Sequence, residues 1–367
     1  MNTFDALNVF YREDAISDFL VNCFQGSREF LLRFLQKAGL DVQEDFQFFI
    51  ETRVGLGKAV GTPDIVIRLS GKGKDTIVLI ENKMGATEGK EQTVRYESSK
   101  AKEKIAARYG LAVEEMNFHY VYLALDKTVK PISTKFVFLD YSIFLSEGWP
   151  LYDDNLRKLF KEFQEKLDEF YSPVMNPYES IEQNLSLNGL QRKICWQKIL
   201  AENFFPLDHL DFEWGEVGGA GRKNFLFLIR KPDWESAETF HQAGLSKTFY
   251  VHIDTYINML QKGSQLVRDI GVRFETNPYV PHWKIDRLPD YDTFLENKRI
   301  FAEMLYARAK KQGIRCKKRN SKLLALSVMI GGETISENMQ DLQKQVLAIE
   351  SCIDEVIAEM KSKGMLR

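Results

Sequence analysis

Four consecutive aliphatic residues, Ile77–Ile80, lead directly into the charged triplet Glu81-Asn82-Lys83. A short apolar run without alternation is typical of a strand that is covered on both faces of its sheet. Charged side chains at the end of such a strand need partners, because an unpaired buried charge is costly. The junction therefore predicts a buried strand that ends in a cluster of interacting charges.

A second strand, Asp64–Leu69, precedes this one, and the residues Ser-Gly-Lys-Gly-Lys-Asp between the two favour a turn. If the hairpin is symmetric about that turn, Leu69 pairs with Thr76 and Asp64 lies opposite Glu81. Directly opposed Cβ atoms in antiparallel strands lie roughly 4.5–5.5 Å apart. Two carboxylates at that separation can hold one hard cation between them, which also removes their mutual repulsion.

Lys83 lies two residues beyond Glu81, so the alternation of side chains along a strand puts both on one face. The sequence therefore predicts that Asp64, Glu81 and Lys83 converge at one end of the hairpin. An alternative explanation is that Glu81 and Lys83 only pair with neighbouring side chains at the exposed rim of a sheet.

The residues around this hairpin predict the order helix, three strands, helix, two strands, helix. These elements are a helix over Arg12–Lys37 with a break near Gly26, a strand over Phe46–Val54, the two hairpin strands, a helix over Thr87–Tyr109, strands over Phe118–Leu125 and Phe136–Tyr141, and a helix over Leu151–Phe170.

Past Pro173 the pattern changes, and we expect two domains, residues 1–172 and 173–367, of which the second is α+β and recognises substrate or a partner. Its predicted helices are Ile194–Phe204, Asp292–Gln312 and Glu337–Lys361, and its predicted strands are Asn224–Ile229, Thr248–Tyr256, Leu266–Thr276 and Leu323–Ile330. A glycine-rich stretch, Gly215–Gly221, indicates a flexible loop between strands, since no Gly-Lys-Ser/Thr ending follows it.

Thr62-Pro63-Asp64 and Glu81-Asn82-Lys83, one on each hairpin strand, resemble the PD-(D/E)xK nuclease superfamily. The resemblance covers roughly residues 5 to 145 and implies a restriction-endonuclease-like αβββαβ core with a mixed central sheet, in an α/β protein. It implies a phosphodiester hydrolase in which Asp64, Glu81 and the backbone carbonyl of Asn82 bind Mg²⁺, with Mn²⁺ as a substitute. Lys83 would orient or help to deprotonate the attacking water.

Two further elements fit this resemblance. Gln92 and Tyr96 stand four residues apart on the helix after Lys83, and they look like the Q-x-x-x-Y motif of the RecB-type branch. That motif implies an amide and a phenol near the substrate, whereas the alternative is a helix surface with a half-buried tyrosine. Glu13 resembles the acid that many members supply from the first helix, although Asp14 and Asp18 compete with it and a first-turn acid also suits the helix dipole.

The second half of the chain offers two candidate surfaces. Basic residues crowd into one span that contains no acid, and the set is Arg308, Lys310, Lys311, Arg315, Lys317, Lys318, Arg319 and Lys322. Such a span suits a phosphate backbone, although a solvated helix end is the alternative. The last helix carries an apolar heptad stripe, which predicts packing against its own domain or a homodimer seam. The stripe consists of Met339, Leu342, Val346, Ile349, Ile353, Val356 and Met360.

A net charge of −2 excludes a global basic field, so nucleic-acid binding must be local. No apolar stretch is long enough for a membrane span, and four scattered cysteines disfavour zinc and disulfides, so we expect a soluble cytoplasmic protein. The resemblance favours duplex DNA as substrate, and a role in restriction or phage defence. RNA cleavage on the same core, or a binding module that has lost catalysis, are the alternatives.

Overall fold

The computed structural model describes residues 2–42, 45–183, 186–219, 222–239, 248–258, 266–277, 279–319 and 324–366. The chain divides into two compact units, Met1–Met175 and Asn176–Arg367. No helix in the described part of the chain is long and apolar enough to cross a membrane.

The described residues of the first unit form strands and helices in an order that follows the prediction. The strands are β1 Gln47–Thr52, β2 Ile65–Ser70, β3 Asp75–Lys83, β4 Met116–Ala124 and β5 Phe136–Asp140. The helices are α1 Thr3–Ala6, α2 Glu13–Gly26, α3 Arg28–Lys37, α4 Gln92–Tyr96, α5 Ser99–Tyr109 and α6 Asp154–Met175. Two short 3₁₀ helices, Val113–Glu115 and Tyr141–Leu145, flank β4 and β5.

Serine caps explain where helices in the first unit begin, both where a break was expected and where it was not. The break near Gly26 is present because Ser27 adopts an extended backbone and its Oγ accepts from the Phe30 N–H at 3.2 Å, which starts α3. The single helix predicted over Thr87–Tyr109 is wrong. Ser98 likewise adopts an extended backbone and caps α5 through Ala101, so α4 is a separate turn and a half.

The central sheet has the order β1-β2-β3-β4-β5, antiparallel from β1 to β3 and parallel from β3 to β5. The mixed restriction-endonuclease-like sheet is thus confirmed. Within the hairpin, Leu69 pairs with Thr76 and Ile65 with Ile80, which is the predicted register. Ser70 and Asp75 belong to the strands, so the connection is shorter than predicted and comprises residues 71–74.

The sheet is covered on both faces, as the aliphatic run of β3 predicts. Ile77 and Leu79 belong to an apolar cluster with Ile105 of α5 and with Tyr120 and Tyr122 of β4. Helices α2, α3 and α6 pack with one another through an aromatic cluster that contains Phe19, Phe24, Phe30, Phe34, Phe144, Phe160 and Phe163. The end of β3 is therefore embedded between two layers of helices.

The second unit is an α+β fold, as predicted. Its helices are α7 Pro177–Glu182, α8 Gly189–Phe204, α9 His282–Ile285, α10 Tyr291–Lys311 and α11 Ile335–Ser362. Its strands are β6 Asp211–Gly219, β7 Arg222–Arg230, β8 Glu235–Thr239, β9 Thr248–Asn258, β10 Asp269–Asn277, β11 Cys316–Lys318 and β12 Leu324–Met329. The sheet order is β11-β12-β10-β9-β7-β6, with β8 paired to β9.

The structure corrects one expectation for this unit and bears on another. Gly215, Gly218 and Gly219 lie in β6 and pair with β7, so they are not a loop, and Gly221 lies outside the described residues. The seven apolar stripe residues of α11 are fully buried, and α11 contacts α8 and α10. The stripe therefore packs within its own unit, the first of the two alternatives, and a homodimer through the C-terminal helix stays a prediction.

Candidate active site at the end of the central hairpin

The end of β3 brings the three predicted charges together. Lys83 Nζ lies 2.5 Å from Glu81 Oε1, so alternation along the strand does place both side chains on one face. Asp64 directly precedes β2, and its Oδ2 accepts from the backbone N–H of Asn82 at 2.7 Å. Only 1% of Glu81 is exposed. Charged groups here therefore act on one another through protein rather than through bulk water.

Burial governs the ionisation of these groups. It raises the pKa of Glu81 to about 8, and repulsion from Asp64 adds to this effect. Burial also raises the pKa of Asp64 to about 6, although the Asn82 N–H and Lys83 oppose the rise. Burial alone would lower the pKa of Lys83, but the Glu81 carboxylate outweighs it and raises that pKa. The pair of acids thus retains a proton near neutral pH unless another cation replaces it.

The chemistry of the acids fits a hard divalent cation. Oε2 of Glu81 is buried and has no hydrogen-bond partner, which is unusual for a carboxylate oxygen in a native protein. Asp64 and Glu81 are oxygen donors, the type that Mg²⁺ and Mn²⁺ prefer. Within the described residues, no group of three or more His, Cys, Asp or Glu is arranged to hold a metal without other ligands. Backbone carbonyl and water oxygens would have to complete the shell.

Glu13 is the first-helix acid that the structure places at this site. Its Oε2 lies 3.5 Å from Lys83 Nζ, and its Oε1 accepts from the Met84 N–H at 3.3 Å. Asp18, one of its competitors in the sequence, instead forms an ion pair with Arg53 at 2.8 Å. Glu13 begins α2, so the start of this helix lies against the end of β3.

Gln92 and Tyr96 are joined on α4, but the phenol does not face solvent. Gln92 Nε2 donates to Tyr96 Oη at 2.9 Å, and only 1% of Tyr96 is exposed. A Cβ added to Gly61, whose φ is +114°, would lie 3.2 Å from Tyr96 Cε1. Tyr96 therefore packs against the backbone that leads through Pro63 to Asp64.

Two residues near the site have no signal in the sequence. Ser17 and Tyr141 are fully buried, and both bond to the side chain of Asn82. Alternation along β3 shows only that Asn82 points away from Glu81. Contacts made by elements far away in the chain determine what it meets there.

The basic span of the second unit is partly neutralised. Three of its members form ion pairs, Arg308 with Glu355 and Glu359, Arg315 with Asp341, and Lys318 with Glu303. Four others, Lys310, Lys311, Lys317 and Arg319, are exposed, and Lys322 lies outside the described residues. The local positive field is therefore weaker than eight basic residues suggest, and nucleic-acid binding by this span stays a prediction.

A mixed sheet of this order, with two acids and a lysine at the end of its second and third strands, defines a restriction-endonuclease-like nuclease domain. The model of the PD-(D/E)XK nuclease superfamily matches residues 1–137. This match, over about a third of the chain, indicates a nuclease acting on nucleic acid. No curated protein and no solved structure matches the chain.

Proposed function

We propose that this protein is a Mg²⁺-dependent nuclease that cleaves duplex DNA, with Asp64, Glu81 and Lys83 as its catalytic core. The observation that carries the proposal is the buried contact of Glu81 with Lys83 beside Asp64. A fold that needed only stability would rarely place two repelling acids there, because apolar residues of similar size cost less. Buried groups with shifted pKa values cluster at functional sites.

Asp64 and Glu81 would hold the metal with the Asn82 carbonyl, and the bound metal would supply water activation and charge neutralisation at the phosphate. Lys83 is held by Glu81 and Glu13, so its amine has a fixed direction before substrate binds. A positioned ammonium can orient the attacking water and stabilise negative charge on the phosphate. Tyr96 would act indirectly, by fixing the backbone that carries Asp64.

Duplex DNA is proposed as substrate from the superfamily, and the exposed part of the basic span supports contact with a phosphate backbone. The second unit would then add non-specific affinity to the chemistry of the first. Restriction or phage defence is the biological role we propose, to be checked by plating phage on cells that carry the wild-type chain or a Glu81→Gln chain.

The test incubates the purified protein with supercoiled plasmid, linear duplex, single-stranded DNA and RNA. Each substrate is tested with Mg²⁺, Mn²⁺, Ca²⁺ or EDTA. We expect cleavage of duplex DNA with Mg²⁺ or Mn²⁺ and none with Ca²⁺, which fills an oxygen site but activates water less strongly. Asp64→Asn and Glu81→Gln should both be inactive. Asp75→Asn is the matched control, because it removes an acid at the other end of the same hairpin.

Each alternative gives its own result in this test. Cleavage of RNA alone would establish an RNA nuclease on the same core. Tight binding without cleavage of any substrate would establish a binding module. Equal rates with EDTA would refute the metal mechanism, and an inactive Asp75→Asn variant would show that loss of activity at the acids reflects damage to the hairpin.

A further inference from the structure

The side chain of Asn82 joins three separate elements behind the candidate active site. Its Nδ2 donates to Ser17 Oγ at 2.9 Å and to the backbone carbonyl of Glu13 at 3.1 Å. Its Oδ1 accepts from the hydroxyl of Tyr141 at 2.6 Å. Asn82, Ser17 and Tyr141 are all fully buried. One amide therefore connects β3, the N-terminal end of α2 and the 3₁₀ helix after β5.

The direction of the Tyr141 bond fixes the orientation of the amide. A hydroxyl donates to the carbonyl oxygen of an amide, so Nδ2 is left to face α2, where it finds two acceptors. A flipped amide would point its NH₂ at Tyr141 and leave the Glu13 carbonyl facing an oxygen. Such a fully satisfied buried network permits one arrangement and excludes its alternatives.

The residue whose backbone Asn82 anchors is Glu13, and the carboxylate of Glu13 lies at the candidate active site. Glu13 contacts Met84 N–H and Lys83, the two residues that follow Asn82. The backbone of Glu13 is thus tied to the back of β3, while its side chain is tied to the end of the same strand. Loss of the backbone tie would let the start of α2 move relative to Lys83.

We infer that Asn82 is a positioning residue, which holds Glu13 against Lys83 through the Ser17 and Tyr141 network. This assignment rests on the proposed nuclease function, for which the position of Glu13 matters. The resemblance implies only that the backbone carbonyl of Asn82 binds the metal. The positioning role belongs instead to the amide side chain of Asn82, which lies on the face of the sheet opposite Glu81. A displacement of about 1 Å in a catalytic group can reduce a rate on the order of 10²-fold.

The test compares Asn82→Leu, which keeps the branching and the number of side-chain heavy atoms but has no polar atoms, with Val78→Ala on the same face of β3. Both variants remove buried contacts of the strand, but only the first releases Glu13. We expect Asn82→Leu to reduce kcat by a factor on the order of 10 to 10², with KM little changed. In a Glu13→Gln background the same substitution should add little, because residues that act through one another are not additive.

A second measurement needs no activity. Hydrogen exchange of the Met84 amide reports the Glu13 contact directly. In each variant, the exchange rate of Met84 is divided by that of the β3 amides of the same protein. We expect this ratio to be higher in Asn82→Leu than in Val78→Ala. Tyr141→Phe, a milder change, should shift exchange in the same direction if Asn82→Leu does not fold.

The outcomes test the positioning role of Asn82 separately from the proposed nuclease function. Unchanged Met84 exchange in both the Asn82→Leu and the Tyr141→Phe protein overturns the positioning role, and so do additive losses of activity with Glu13→Gln. If the wild-type protein cleaves no nucleic acid, the proposed function fails, while Met84 exchange still decides whether Asn82 holds Glu13.

Discussion

Replacement of Glu81 by glutamine should change how the stability of the metal-free protein depends on pH. The pKa of Glu81 is raised from 4.5 to about 8, so the folded state holds a proton that the unfolded state releases. Below the unfolded pKa, the carboxyl is protonated in both states and does not reduce the free energy of unfolding. Stability from this group is lost progressively as pH rises towards the folded pKa.

The expected size follows from the shift. Each pKa unit corresponds to about 1.4 kcal/mol, so the full shift is worth about 5 kcal/mol, of which ionisation of Glu81 should remove about 3 to 4 kcal/mol between about pH 5 and pH 8. Glu81→Gln cannot ionise and lacks this loss. The difference between the free energies of unfolding of the variant and the wild type should therefore increase, in favour of the variant, by about this amount over the same interval. Added Mg²⁺ should oppose the change, because it binds the folded wild type.

The assay is native-state hydrogen exchange of the β3 amides, which reports opening of the first unit. Wild type and variant are compared at each pH, so that intrinsic exchange rates cancel. Asp75→Asn serves as the control, since its carboxylate lies at the opposite end of β3 from Glu81 and pairs with Arg68 at 2.6 Å. A difference between wild type and Glu81→Gln that does not change with pH would refute the assignment of a proton to this buried acid.

Three other predictions concern the proposed catalytic residues and the basic span. Lys83→Ala should retain metal affinity by titration while kcat falls on the order of 10²-fold or more, and loss of metal binding would contradict its assignment. Asp64→Ala and Glu81→Ala should each abolish cleavage, and the double variant should be hardly worse than either in single-turnover assays, unless the acids act independently. Neutralising residues 317–319 together should weaken DNA binding and flatten its salt dependence, whereas neutralising the lysines within residues 71–74 should not.

The register of the β2–β3 hairpin, and with it the position of the two acids, can be predicted from the sequence. Two aliphatic runs flank a turn, and pairing that is symmetric about this turn sets the register, with Leu69 opposite Thr76. That register also places Asp64 beside the end of β3, which is why the amino-acid sequence alone is sufficient to propose these acids. The superfamily resemblance then follows from residues that the register brings together.

Other features depend on contacts that local patterns do not encode. Ser98 divides a charged amphipathic stretch into α4 and α5, and a single serine there is not distinguishable from a tolerated helix residue. The stripe of α11 reveals that its residues are buried but not which surface covers them. Tyr141 meets Asn82 across 59 residues of chain, and neither residue stands in a pattern that predicts the other.

The connection between β2 and β3 lies at the opposite end of the hairpin from the acids. Residues 71–74 are exposed, and five strand pairs separate them from the acid end. At about 3.4 Å per residue, an insertion there begins roughly 17 Å or more from Glu81. An epitope or a fluorophore can therefore be placed in this turn while the register behind it stays fixed by Leu69 and Thr76. The hairpin thus offers a labelling point on the same element that carries the proposed catalytic acids, suited to detecting binding of the protein to nucleic acid.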